Sequence, residues 1–197
     1  QYQWLLNKIE TSSAKWNMLG NSVMFSPMNL VTLEKDEKTK PVSSSLSSNI
    51  TGIPVNGDQW DGYSAERRLL IDALSKHDSH TLFVTGDIHS EWAHNISKDG
   101  RIFGAEMVCA SVSAPNVNEQ LKLPEGNELS KLAQRYLLGA NPHTRHVDLD
   151  HHGYSFVTVR PDSAKMHWLR VDNLLTAKSP VREAVTLTWR PDKGYDK

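Results

Sequence analysis

The spacing of apolar residues predicts three helices. Apolar side chains recur at i, i+3, i+4 and i+7 over residues 2–11, the pattern of a helix that lies on a sheet. A second helix is predicted after Ser64, which can cap its first turn. A third is predicted over residues 127–138, with Asn127 and Gly139 placed to cap its two ends. Its apolar stripe consists of Leu129, Leu132, Ala133 and Tyr136.

Apolar runs and alternating segments predict the strands. The run at residues 15–19 and the run at residues 81–85 both end at a glycine, as buried strands in α/β proteins often do. Apolar residues that alternate with polar or small ones predict four further strands, at residues 103–109, 155–159, 166–171 and 185–189. The pattern therefore predicts an α/β (α+β) chain whose second half is mainly β.

Two candidate metal ligands follow the run at residues 81–85. Asp87 and His89 lie at the carboxyl end of the predicted strand, where open α/β sheets collect their ligands. If the segment is extended, the i, i+2 spacing points both side chains into one polar depression, where they would hold a small ion cluster. A polar turn after a core strand is the alternative. Asn21, just past the earlier strand, is either a turn residue or a further neutral oxygen ligand.

Residues 58–63 combine two carboxylates and two aromatic rings in six positions, just before the second helix. One interpretation is a loop that walls a substrate pocket, where Asp61 and Tyr63 contact the substrate and Arg67 binds an anionic group. The other is a helix-entry loop whose aromatic side chains fill the core. The residue pattern alone leaves both interpretations open.

Residues 143–152 hold four of the nine histidines and two aspartates. Such a density is compatible with a second metal-binding or phosphate-contacting loop, in which His151 and His152 would contact the substrate. A solvated histidine-rich loop is the alternative.

Composition narrows the classes of function. The net charge is −1 and the pI is near 6.8, so no nucleic-acid-binding or anionic-membrane-binding surface is indicated. No apolar run approaches the roughly 18 residues of a transmembrane helix. The single cysteine, Cys109, excludes an internal disulfide and is predicted to be a buried, inert thiol.

The chain is predicted to form a single domain over residues 1–197. Residues 29–57 contain a dense run of charge and a serine run with little apolar content, which predicts an irregular surface insertion and the least ordered internal segment. There is no initiator methionine and no leader pattern of a signal peptide. We expect that the amino-terminal part of a longer protein precedes this chain.

The order of the motifs resembles the carboxyl-terminal half of a PhoD-type alkaline phosphatase/phosphodiesterase, of the calcineurin-like metallophosphoesterase superfamily. The similarity covers roughly residues 1–171, and two motifs in combination make it specific. The matching segments are Trp16-Asn-Met-Leu-Gly-Asn21, Asp58-Gln-Trp-Asp-Gly-Tyr63 with Ala65-Glu-Arg-Arg68, Thr85-Gly-Asp-Ile-His-Ser90 with Trp92, and His152-Gly-Tyr154.

The resemblance implies part of a four-layer α/β/β/α sandwich around a two-metal centre, which hydrolyses phosphate mono- or diesters with a metal-activated water. By position, Asp87 would bind calcium and His89 would bind iron, both as catalytic residues, with other divalent metals as alternatives. An aspartate in the first position suits calcium, which prefers oxygen ligands. Members of the family are typically exported, which implies a periplasmic or secreted protein. The resemblance leaves the oligomeric state open.

The family's earlier metal ligands have no counterpart in this chain. Two or three ligands alone should hold a metal ion poorly, so we expect the 197-residue chain by itself to be inactive. The competing hypothesis is a non-catalytic binding or structural module that retains the fold without the full metal site.

Overall fold

The computed structural model describes residues 1–32, 52–54 and 56–196. Its helices are α1 (Tyr2–Glu10), α2 (Ser64–Ser75), α3 (Val117–Gln120) and α4 (Glu128–Ala140), and a 3-10 turn at Trp60–Tyr63 precedes α2. Its strands are β1 (Trp16–Gly20), β2 (Asn29–Thr32), β3 (Gly52–Pro54), β4 (His80–Thr85), β5 (Glu91–Lys98), β6 (Arg101–Val108), β7 (Thr144–Asp148), β8 (Gly153–Arg160), β9 (Ser163–Val171), β10 (Val181–Arg190) and β11 (Gly194–Tyr195).

Five strands form the first sheet, in the order β1-β4-β6-β5-β7. Strands β1, β4 and β6 are parallel, whereas β5 runs antiparallel to both β6 and β7. The carboxyl ends of β1, β4, β6 and β7 therefore meet at one edge of the sheet, together with the start of β5. We call this the carboxyl edge.

The second sheet is antiparallel, in the order β11-β10-β9-β8, and packs against one face of the first. The core between the sheets joins Leu82 and Met107 of the first sheet to Met166, Trp168 and Trp189 of the second. The indole of Trp168 also donates a hydrogen bond to the carbonyl oxygen of Val108 at 3.0 Å. The shared core and this hydrogen bond therefore hold the two sheets together close to the carboxyl edge.

The helices cover the opposite face of the first sheet. Leu70 and Leu74 of α2 pack with Phe83 and Phe103, and Leu137 of α4 packs against the β5–β7 side. The described residues therefore form helices, a first sheet and a second sheet, in that order. None of the helices in the described ranges has the length and hydropathy of a transmembrane segment.

The structure confirms the predicted helices and the runs that became β1 and β4, but it corrects two of the caps. The side chain of Asn127 caps α4 as predicted, since it accepts a hydrogen bond from the Ser130 amide at 2.9 Å. Gly139 does not end α4, which continues to Ala140. Ser64 does not cap α2, because the preceding 3-10 turn makes it the first helical residue.

The ends of the predicted insertion at residues 29–57 are ordered as a two-stranded antiparallel ribbon of β2 and β3. Asn29 also exchanges backbone hydrogen bonds with the Asn141 side chain, at 2.8 and 3.0 Å. Residues 33–51 and 55 lie outside the described residues. The prediction that this segment is the least ordered part of the chain therefore stays a prediction.

Candidate functional site

The loop after β4 is bent and not extended. Asp87 and His89 adopt left-handed backbone conformations, with φ of 73° and 52°, and the Ile88 amide turns back to the Gly86 carbonyl at 2.9 Å. The extended geometry assumed for these two residues is therefore wrong. Such conformations cost on the order of 1–3 kcal/mol each and often mark functional sites. Ile88, between them, packs into the core and fixes the loop.

Asp87 is exposed, but a buried residue orients its carboxylate. The side-chain amide nitrogen of Gln59 donates a hydrogen bond to Asp87 Oδ2 at 2.7 Å. Gln59 itself is only 2% exposed. Because Gln59 occupies one carboxylate oxygen, Asp87 presents the other at the carboxyl edge.

His89 is oriented through one ring nitrogen. Its Nδ1 lies 3.0 Å from the carbonyl oxygen of Pro115. A carbonyl oxygen only accepts hydrogen bonds, so Nδ1 is the donor and Nε2 is the ring nitrogen left for a metal ion. Metal-binding histidines commonly show this arrangement, because it fixes both the tautomer and the direction of the ring.

An open depression of about 490 Å³ lies at the carboxyl edge. It is lined by Gly20, Asn21, Ser22, Val84, Thr85, Gly86, Met107, Cys109 and Ser155. Asp87 and His89 are not among these residues, so their convergence on one depression stays a prediction. Cys109 was predicted to be buried, but it is partly exposed and lines the depression, because it follows the last residue of β6.

Asp87 and His89 fit a metal site by the chemistry of their donor atoms. A carboxylate oxygen suits a hard cation such as calcium, and an imidazole nitrogen suits a transition metal such as iron. The described part of the chain nevertheless contains no group of three or more His, Cys, Asp or Glu side chains that could hold an ion. That the chain carries only part of a metal site stays a prediction.

Asp61 and Arg67 bind each other. Arg67 Nη1 lies 2.6 Å from Asp61 Oδ1, and both side chains are largely buried. Arg67 also donates to the Phe25 carbonyl at 3.3 Å, while Asp61 accepts the Met28 amide at 3.1 Å. The pair therefore holds the segment after β1 in place. Tyr63, by contrast, is 60% exposed.

The four histidines of residues 143–152 have separate partners. His151 contacts Asp148 at 2.8 Å and Glu125 at 3.1 Å, and His152 contacts the Ser111 carbonyl at 3.2 Å and Glu119 at 3.0 Å. His143 and His146 contact the Pro27 carbonyl and Glu91, both at 2.9 Å. His151 and His152 lie past the carboxyl end of β7, on the same edge as His89.

Sequence reasoning missed a buried ionic network beside this loop. Arg170 of β9 binds Glu91 through two nitrogens, at 3.0 and 2.7 Å, and also lies 3.1 Å from Asp148. Glu91 is 1% exposed. Burial alone would raise the pKa of Glu91, but hydrogen bonds from His146 and Arg170 lower it overall. An arginine on the same face of β9 as Met166 and Trp168 was the available signal.

Glu106 was also missed. It is fully buried and accepts hydrogen bonds from the amides of Phe25 and Ser26, at 2.7 and 2.8 Å, and from the Thr85 hydroxyl at 2.8 Å. Burial raises the pKa of this carboxyl. Glu106 thereby ties the segment after β1 to the end of β4.

Asp148 and His151 give a testable pH dependence. The hydrogen bond that His151 Nδ1 donates to the Asp148 carboxylate raises the pKa of His151 above its usual value. The charged imidazole then stabilises the fold below about pH 6.5, and this contribution is lost as the pH rises through the folded-state pKa. We expect His151→Gln to lower the melting temperature more at about pH 5.5 than at about pH 9. Scanning fluorimetry measures this, and a pH-independent difference between the proteins would contradict it.

Comparison with known proteins points to one family. The model of a family described as PhoD-like phosphatase matches residues 1–168. Alkaline phosphatase D of Bacillus subtilis (strain 168) is 32% identical over 172 residues, which cover 84% of this chain and 25% of that protein. The chain thus spans about a quarter of the length of that curated relative.

A solved structure titled "Structure of PhoD" matches with a TM-score of 0.73 and 24% identity, covering 100% of this chain and 34% of that one. This match, together with the two sheets and the mainly β second half, confirms the predicted fold class.

Proposed function

The chain belongs to the PhoD-like phosphatase family, and from this we propose that it is the carboxyl-terminal portion of the catalytic domain of a metal-dependent phosphate-ester hydrolase. The enzyme would be an alkaline phosphatase/phosphodiesterase with a two-metal centre, exported to the periplasm or secreted. The observation that supports this best is the strained loop at the carboxyl edge. Hydrogen bonds hold Oδ2 of Asp87 and Nδ1 of His89, which leaves Oδ1 of Asp87 and Nε2 of His89 for metal ions.

Within this proposal, Asp87 would hold calcium and His89 would hold iron, with Asn21 as a further candidate ligand. When bound, such ions supply Lewis-acid chemistry to the phosphoryl group and to the attacking water. The chain's own contribution is to set the direction of both ligands before an ion binds. Gln59 does this for Asp87 and the Pro115 carbonyl does it for His89.

The predicted substrate contacts divide into two groups. Tyr63 is exposed and accessible to a phosphate ester. Asp61, Arg67, His151 and His152 are held by partners within the fold, so we assign them to the support of the site. A binding or structural module without catalysis is the second candidate, favoured by the absence of a three-ligand cluster in the described residues.

Hydrolysis of nitrophenyl phosphate and bis-nitrophenyl phosphate tests the proposal. The full-length gene product, supplied with calcium and iron, is expected to release nitrophenol and to lose this activity in EDTA. The 197-residue chain alone is expected to stay near background, because its two ligands pre-form little of a site. A full-length protein that binds metal without hydrolysis would favour the module instead. Robust turnover by the chain alone would contradict the partial site.

A further inference from the structure

We propose that Gln59 is a positioning residue, which orients the carboxylate of Asp87 for cation binding and connects it by hydrogen bonds to the segment after β1. The inference rests on the proposed function, because it concerns the same ligand loop. It gives the Asp58–Tyr63 segment a role in shaping the site, distinct from both the pocket wall and the core-filling loop predicted from sequence.

The orientation of the Gln59 amide follows from its two partners. The backbone amide of Met24 can only donate, so the Gln59 oxygen Oε1 must face it. The nitrogen Nε2 must then face Asp87 Oδ2, which lies 2.7 Å away. Neither partner permits the flipped amide, because a flip would place donor against donor at Met24. Gln59 therefore accepts a hydrogen bond from one segment and donates one to the other.

This hydrogen bond matters because Asp87 is otherwise free to rotate. The residue is exposed, and among the described residues Gln59 supplies the only hydrogen bond to its side chain. With Oδ2 held by Gln59, the orientation of the carboxylate is set without an entropy loss when a cation binds. Groups that orient a metal ligand in this way typically contribute about 10- to 100-fold in metal affinity.

Gln59 is itself rigid because its neighbour is anchored. The Trp60 ring packs edge-on against Phe25 at 5.1 Å, and Phe25 stacks on Phe83 of β4 at 4.2 Å. The Trp60 indole nitrogen also lies 3.3 Å from Asn21 Oδ1, just past the end of β1. Two consecutive side chains thus reach the ends of β4 and β1, so they fix two adjacent strand ends relative to each other.

Calcium titration of the metal-stripped full-length protein tests the inference. Gln59→Glu keeps the acceptor for Met24 but turns a second carboxylate toward Asp87, and Gln59→Met removes both hydrogen bonds. We expect both variants to bind calcium chloride about 10- to 100-fold more weakly by calorimetry, with turnover recovering as calcium is raised. Gln134→Glu, the same change on α4, is the matched control and should bind like the wild type.

A purely structural role for Gln59 predicts a different result. It would lower the melting temperature of the metal-free protein and leave the calcium affinity within about threefold of wild type, which would overturn the inference. If a Gln59 variant fails to fold, a measurement on the wild type still tests the inference. With nitrogen-15-labelled glutamine, calcium should shift the side-chain amide resonance of Gln59 and leave that of Gln134 in place. An unmoved Gln59 resonance, or no calcium binding by the wild type, would also overturn it.

The two proposals fail separately. If the wild type binds calcium but hydrolyses no ester, the proposed function falls, while weaker binding by the Gln59 variants still supports the positioning role. If the wild type hydrolyses esters and the Gln59 variants bind calcium normally, only the positioning role falls.

Discussion

Replacing His89 by alanine in the full-length protein is expected to reduce phosphate-ester turnover by roughly a thousandfold or more. In the proposed site, His89 contributes Nε2 as a metal ligand, with Nδ1 fixed by Pro115. A catalytic metal supplies several kcal/mol of transition-state stabilisation, and each 1.4 kcal/mol corresponds to about tenfold in rate. The effect should appear in kcat with bis-nitrophenyl phosphate, and the iron content of the purified protein should fall with it.

His143→Ala is the matched control for this loss. His143 precedes β7, at the end of the strand opposite the carboxyl edge, and contacts the Pro27 carbonyl. Its removal should cost some stability and leave turnover within a few-fold of wild type. A full-length His89→Ala protein with normal kcat and normal metal content would exclude His89 as a ligand.

The strand ends of the site were predictable because their signals are local. The run at residues 81–85 stops at Gly86, and Asp87 and His89 follow at once, so a short window places two chemical groups at a sheet edge. Asn127 as a helix cap is an equally local signal, and the structure confirms it. The bend of the loop was not predictable from spacing, because it rests on left-handed conformations at Asp87 and His89, which are uncommon for non-glycine residues.

The supporting contacts were not predictable because they join distant parts of the chain. Gln59 and Asp87 are 28 positions apart, and Glu91 and Arg170 are 79 apart. Only the strand order brings these pairs together, and no periodicity encodes that order. Gln59 and Glu91 each read in isolation as an ordinary polar side chain.

Helix α4 shows how periodicity can mislead. Leu129 and Leu132 of its apolar stripe are 55% and 57% exposed, whereas the buried residues are Ser130, Leu137 and Ala140. Leu137 packs in the core with residues of β5 and β7, so tertiary packing decided which face of the helix is buried. Spacing found the helix but not its orientation.

Arg170→Met is expected to destabilise the fold by about 3–5 kcal/mol, the cost of removing one partner from a buried ion pair. Arg170 pairs with two carboxylates, those of Glu91 and Asp148, which lie on paired strands of the first sheet. Without the guanidinium, both would stay buried with only histidine partners. Because Glu91 begins the strand that follows the ligand loop, the same change should also loosen the position of His89.

Urea unfolding of the full-length protein measures this cost, and two variants make it specific. Arg182→Met removes an arginine that faces Arg170 on the neighbouring strand but pairs with Asp172 at the surface, at 3.2 Å. Exposed pairs contribute about 0–1 kcal/mol, so this control should be nearly neutral. The double variant Arg170→Met with Glu91→Met should recover much of the lost stability. It leaves only the Asp148 carboxylate without the arginine, whereas Arg170→Met alone leaves two carboxylates. Equal losses of unfolding free energy in Arg170→Met and Arg182→Met would show that the buried network contributes no more stability than a surface ion pair.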